Sequence, residues 1–320
     1  MKSLPWTISS ISQLSILLEV SSPKPGNVNR LRRFSDTGYR HFLASASLMG
    51  RGLHKASSRG VMLAEGQIPP SDVGIGELIL ECSKDVFGGL NKTNTILGTI
   101  LLYVPVVVAV ASSLTESPVF ETKTIRRWLE VVLENTTIDD TLNMYRAFHL
   151  ANPGGDRNKD EQTWTDIHDR YDISNPDVLR NISEDGLTLK KLFLLSADVE
   201  PLSKEWSEYF KLTITEVFPY LDQHANSLEN MEEGILRTFI WLLSRQPDGL
   251  IIKKAGLEKA REIQHLAKQI AHTDPNDRSA EEMLQELDGI LRSDGNMLNP
   301  GTTADMVSVA ILLKLMKMVS

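Results

Sequence analysis

Apolar positions recur at three- and four-residue intervals along most of the chain, and no stretch alternates with period two over a strand's length, so the spacing predicts an all-α fold. Ile8, Ile11, Leu14 and Leu18 set a first amphipathic helix over 8–20. Asp36 is placed to cap a long helix carrying Tyr39, Phe42, Leu43, Ala46, Met49 and Leu53, with Gly60 just past its end. Pro69-Pro70-Ser71-Asp72 starts a helix over 72–86 that stops at Gly88-Gly89. An apolar helix over 95–112 follows, which Pro105 should kink or divide. The same periodicity gives helices over 123–134, 138–150, 187–197, 203–218, 226–244, 256–272 and 279–292. A last apolar helix carries Val309, Leu312, Leu313, Leu315 and Met316 to the C-terminus. With no internal repeat, residues 1–320 read as a single helical domain, interrupted near 152–186 by a polar stretch that is either a surface loop or a lid.

Composition narrows the function. At 320 residues the chain can bury a full core, and 42 acidic against 34 basic residues give a formal charge of −8, which disfavours nucleic acid and anionic membranes as partners. Cys82 is the only cysteine, so no intrachain disulfide or thiolate zinc cluster can form and a reducing, cytoplasmic setting fits. The apolar run Ile96–Ala111 is shorter than the ~18 residues expected of a membrane span and reads as a core helix. The first twenty residues lack the layout of a signal peptide.

Four polar interruptions between helices carry the candidate chemistry. In Ser22-Pro23-Lys24-Pro25-Gly26-Asn27-Val28-Asn29-Arg30 the two prolines and the glycine forbid regular structure and stiffen the frame that presents Lys24, Asn27, Asn29 and Arg30. Glu19 opposes the helix dipole just upstream, which suits a partner or a metal, with an ordinary surface glutamate as the other reading. Leu90 to Gly98 opens the apolar helix, where unpaired N–H groups favour an anion and Lys92, Asn94 and Thr95 would assist; plain capping by Thr93 or Asn94 is the other reading. Gln246 to Gly256 is the third interruption, where Asp248 and Lys253 could face a ligand, although Pro247-Asp248-Gly249 is first of all a turn. Asn299-Pro300-Gly301-Thr302-Thr303-Ala304-Asp305 leads into the last helix, where Thr302 or Thr303 can cap and Asp305 in the first turn suits the dipole. His168-Asp169 in the polar stretch has no further ligands at metal-site spacing, so solvated loop residues are the better reading.

Three of these stretches, in this order and approximate spacing, resemble the triphosphoribosyl-dephospho-CoA synthase family: Pro-Lys-Pro-Gly-Asn with Glu19 upstream, Asn94-Thr95-Ile96-Leu97-Gly98, and Asn299 to Asp305. The similarity runs from about residue 10 to the end, least clearly over 155–230. It implies an all-helical enzyme that uses ATP as ribosyl donor: the 2′-hydroxyl of dephospho-CoA attacks C1′ and adenine leaves. By the same resemblance Lys24 and Asn27 belong to the loop motif, Asn94 and Thr95 to the helix-start motif, and Asp305 to the terminal motif. Lys24 would neutralise phosphate, Asp305 with Glu19 would hold Mg²⁺, and Asp36 would be a base or a further metal ligand.

The chain departs from that pattern at three places. Where members of the citrate lyase pathway typically carry His-Lys-Asp-Met-Asp, it has Ser35-Asp36-Thr37-Gly38-Tyr39-Arg40-His41; where they carry Asn-Thr-His-Lys-Gly, it has Asn94-Thr95-Ile96-Leu97-Gly98. Thr302-Thr303 also replaces the usual Gly-Ser. The expectation is a divergent branch acting on ATP and a dephospho-CoA-like small molecule, with exposed helical faces that leave room for a homodimer. A phosphotransferase or phosphate-ester enzyme on the same scaffold, and a nucleotide-binding regulatory protein without turnover, are the alternatives.

Overall fold

A computed structural model describes residues 3–89, 96–151, 165–274 and 277–320. Among them every regular element is helical. The first half comprises α1 (Leu4–Ser21), α2 (Tyr39–Leu48), α3 (Gly50–Ala64), α4 (Ile75–Phe87), α5 (Leu97–Glu116), α6 (Thr122–Glu134) and α7 (Ile138–Ala151). The second half begins with the short helices α8 (Asp166–Arg170), α9 (Val178–Glu184), α10 (Leu189–Leu195), α11 (Pro201–Ser207) and α12 (Phe218–His224). It continues through α13 (Met231–Arg245), α14 (Gly249–Ala255), α15 (Leu257–Ala271), α16 (Arg278–Arg292) and α17 (Gly301–Val319).

The core is arranged around α5, apolar on nearly every side and packed by α1, α3, α4, α6 and α17. At 20 residues it is long and apolar enough to cross a membrane, and longer than the apolar run suggests, but 94% of its apolar window is buried inside the protein. Such a helix needs neighbours that come close. Gly60 lies inside α3 rather than past its end, and a Cβ there would stand 2.3 Å from the Val108 carbonyl oxygen of α5. Ser112 then donates from α5 to the Gly60 carbonyl at 2.8 Å. Pro105 does not divide α5, which continues unbroken through it. Most of the buried apolar residues, from Ile8 in α1 to Met316 in α17, form one cluster.

Several boundaries differ from the periodicity, each with a local cause. The long helix expected after Asp36 is two helices with a break at Met49, and its N-cap position is Gly38, whose N–H donates to His41 Nδ1 at 3.1 Å, so Asp36 is not its cap. Side chains of α1 receive the carbonyls around the break: Gln13 donates to Ala46 and Ser47, and Ser9 to Gly50. The stretch expected to be irregular contains α8 and α9 in its described part, tied by Arg170 and Tyr171 to Asp185. The continuous helix expected over 203–218 is interrupted after α11, where Tyr209 and Phe210 adopt left-handed angles of φ 54° and 56° and a π-helical turn, Thr213–Val217, follows. Phe210 is thereby turned fully into the core, while Arg126 donates to the carbonyls of Glu208 and Tyr209.

Asp140 joins α4 to α7. Its carboxylate accepts from the Gly76 N–H at 2.8 Å and from the Thr137 N–H at 2.7 Å, so one acid serves the first turns of both helices. A Cβ on Gly76 would stand 2.0 Å from the Asp140 carbonyl oxygen and 2.4 Å from its Cα, and neither backbone atom can yield. Gly76→Ala should therefore lower stability by about 3 kcal/mol. Gly289→Ala in α16, where a Cβ meets nothing within 4 Å, should raise it by up to about 1 kcal/mol. Urea unfolding of the two variants checks both; equal stabilities would contradict the packing described.

Candidate active site at a junction of helix ends

The polar interruptions converge on the N-terminal end of α17. Asp248 sits between two helix starts: Oδ1 accepts from the N–H groups of Leu250 and Ile251 at 2.8 and 3.1 Å, and Oδ2 from the N–H and hydroxyl of Thr303 at 2.7 and 2.8 Å. It caps α14 and α17 together. Burial raises its carboxyl above the ordinary range while these four hydrogen bonds oppose the rise. Asp248 is thus a structural brace; neither Thr302 nor Thr303 caps α17, whose N-cap position is Pro300.

The proline-rich loop is fastened to the same end. Gly26 takes φ +72°, and a Cβ on it would stand 2.7 Å from Leu291 and 3.0 Å from Pro300, so this position requires glycine. Its N–H donates to Asp288 Oδ1 at 2.8 Å, and the same oxygen receives Arg292 Nε at 2.7 Å. Arg292 also donates to the Asn27 carbonyl. Asn29 closes the loop by accepting from the N–H groups of Leu31 and Arg32. Asn27 and Asn29 are both buried, and Arg30 reaches out to pair with Glu232.

Lys24 is 1% exposed. Its ammonium faces Glu19 Oε1 at 3.0 Å, the Ser22 carbonyl at 3.0 Å, and the Glu19 carbonyl. Three donors meet three acceptors at the C-terminal end of α1, where a cation also suits the dipole. In this arrangement no N–H of Lys24 is left for a phosphate. Burial raises the Glu19 carboxyl, against which Lys24 works by charge and hydrogen bond.

Asp305 is different. It lies in the second turn of α17, not the first, and is half-buried. Thr99 Oγ1 donates to its Oδ1 at 2.5 Å. On the other side Oδ2 would be 2.1 Å from a Cβ on Gly98, so the carboxyl lies directly against the glycine backbone at the start of α5. Burial pushes the acid up to about 8, with the Thr99 hydrogen bond opposing and the like charges of Glu19 and Asp248 adding to the rise. An acid in that range can give or take a proton near neutral pH.

Below this level lies a second polar layer. Ser15 of α1 is 2.7 Å from the Tyr103 hydroxyl of α5, which is 2.7 Å from Ser308 Oγ of α17 and donates to the Ser308 carbonyl at 2.8 Å. Thr99, Tyr103, Ser15 and Ser308 were not anticipated from the sequence. Their signal was available: between Leu97 and Ala111 only Thr99 and Tyr103 carry polar side-chain atoms, and between Ala304 and Leu313 only Asp305 and Ser308 do.

The structure therefore brings together Glu19, Lys24, Asn27 and Asp305 from the expected set. Asp36 lies at the exposed rim, accepting from Asn296 Nδ2 at 3.2 Å; Lys254 donates to the carbonyl and side-chain oxygens of the same Asn296. Lys92, Asn94 and Thr95 fall outside the described residues. A protein-held Mg²⁺ on Glu19 and Asp305 does not fit this geometry, because Glu19 already faces an ammonium. Among the described residues no group of three or more His, Cys, Asp or Glu side chains is arranged for a metal.

Comparisons with known proteins agree with the motifs. No curated protein matches the chain significantly. A solved structure from Archaeoglobus fulgidus, provisionally named a triphosphoribosyl-dephospho-CoA synthase, superposes with a TM-score of 0.58 at 26% identity, covering 86% of this chain and 98% of that one. The profile of the family described as ATP:dephospho-CoA triphosphoribosyl transferase matches residues 5–320, nearly the whole length, and the chain belongs to that family.

Proposed function

We propose that this chain transfers the triphosphoribosyl group of ATP to dephospho-CoA or a related acceptor, releasing adenine, in the cytoplasm. The observation that supports it is Asp305: an acid poised near neutrality, held by Thr99 against the Gly98 backbone, where three helix ends and a rigid loop meet. In this reading the acceptor hydroxyl oxygen forms a bond to C1′ and its proton passes to the Asp305 carboxylate. The bond from C1′ to adenine breaks, and its electron pair leaves with the base. The proton acceptor is thus assigned to Asp305 rather than to the exposed Asp36. Glu19, fixed by Lys24, presents negative charge to an oxocarbenium-like ribosyl group. Lys24 acts through Glu19 instead of on phosphate. The triphosphate charge would be offset by Mg²⁺ carried with the ATP substrate. No residue here is asked to hold the metal unaided.

Separating the products after incubation with ATP, Mg²⁺ and dephospho-CoA tests the reaction. Free adenine in step with acceptor consumption is expected, whereas ADP without adenine would replace this reading with phosphoryl transfer. Asp305→Asn should reduce turnover by about 10²- to 10⁴-fold, and wild-type turnover should climb as pH rises toward about 8, where the acid ionises. Stability should move the other way. Because folding raises the Asp305 acid, its favourable contribution is complete below the ordinary carboxylate range and is lost as pH rises through about 8. The melting temperature of Asp305→Asn should gain on that of the wild type from pH 4 to pH 8 and then level off. A gap independent of pH would contradict the assignment.

A further inference from the structure

We infer that Tyr103 is a positioning residue for this reaction, holding α17, and with it Asp305, in place relative to α1 and Glu19. The inference rests on the transferase reading for its role in turnover, but its geometry stands by itself. Helices α1, α5 and α17 pack against one another, and each contributes two residues one helical turn apart to two polar layers. Glu19, Thr99 and Asp305 form the upper layer; Ser15, Tyr103 and Ser308 form the lower. Ser15 and Glu19 are four apart on α1, Thr99 and Tyr103 four apart on α5, and Asp305 and Ser308 three apart on α17. The Tyr103 hydroxyl hydrogen-bonds to both other helices, to Ser15 of α1 and Ser308 of α17.

Its hydroxyl is completely buried and fully partnered. It accepts from Ser15 Oγ at 2.7 Å and from Ser308 Oγ at 2.7 Å, and donates to the Ser308 carbonyl at 2.8 Å. A hydroxyl has one proton to give and two lone pairs, so these distances fix the spacing of α1 and α17 about a single oxygen. Packing alone does not demand it, since a phenylalanine would fill the same volume of apolar core without polar atoms to satisfy. What the oxygen adds is register. A shift of α17 along α1 by a fraction of a turn would break these contacts and would carry Asp305 with it. Errors of about 1 Å in the placement of a reacting group cost on the order of 10²-fold in rate.

Tyr103→Phe keeps the ring and removes only this oxygen. The variant should remain folded, bind ATP about fivefold more weakly and turn over about tenfold or more slowly. In an Asp305→Asn background the same change should have almost no further effect on either quantity, because Tyr103 acts through the placement of that acid. A folded Tyr103→Phe protein equal to the wild type in affinity and turnover would overturn the inference. So would losses that multiply in the double variant, the mark of a general structural role. A wild-type chain that binds ATP but releases no adenine would refute the transferase reading alone, and the affinity measurements would still decide the role of Tyr103. A wild-type chain that binds no ATP would overturn both.

Discussion

The contact of Asp305 with Thr99 and Gly98 is the constraint on which the rest of the site depends. It joins the start of α5 to the second turn of α17 at a separation that no side chain larger than glycine's would permit. To be useful, the contact must hold two helix ends still while leaving the carboxyl partly open. The surroundings meet both demands. Asp248 ties the first turn of α17 to α14, and Gly26 fits its bare Cα between Leu291 and Pro300, so the proline-rich loop cannot drift from that end. Among the described residues the acid has one hydrogen-bond donor and two like charges for neighbours, and its proton affinity rises accordingly.

Buried charge is costly unless paired and hydrogen-bonded, and the site contains both outcomes side by side. Lys24 and Glu19 form a compensated pair in which every ammonium hydrogen has an acceptor. Among the described residues Asp305 has no such cationic partner. The first arrangement gives rigidity to the end of α1; the second leaves a group that can change its charge during a reaction. That division of labour explains why the lysine in the proline-rich motif lies inside the protein and not on its surface. It also explains how the chain can lack the His-Lys pair at Ile96-Leu97 and still retain an ionisable centre, because that centre is contributed by α17.

Much of this was legible in the sequence. Period 3.6 spacing identified the helices of the core, and glycine and proline marked the loops that meet at the site. Asp305, Lys24 and Asn27 were singled out through the family motifs, and Glu19 by its place at the end of α1 beside the proline-rich loop. The misses share one cause: they depend on contacts between distant segments. Asp248 reads locally as a turn residue and becomes a brace only when Thr303 reaches it. Gly60 reads as a helix stop until α5 presses against it. The left-handed pair Tyr209-Phe210 has no glycine to announce it and is held by Arg126 from another helix. Thr99 and Tyr103 were the readable exception, two polar residues four apart in an otherwise apolar run.

The central claim is one of place: ATP reacts where α1, α5 and α17 meet. A crystal structure with ATP and an unreactive analogue of dephospho-CoA tests it most directly. The account predicts the acceptor hydroxyl within hydrogen-bond reach, about 3 Å, of the Asp305 carboxyl, with ribose C1′ beside it and Glu19 close by. Nucleotide bound elsewhere, for instance against the stacked rings of Tyr220 and Trp241, with the Asp305 junction closed and unchanged, would contradict it.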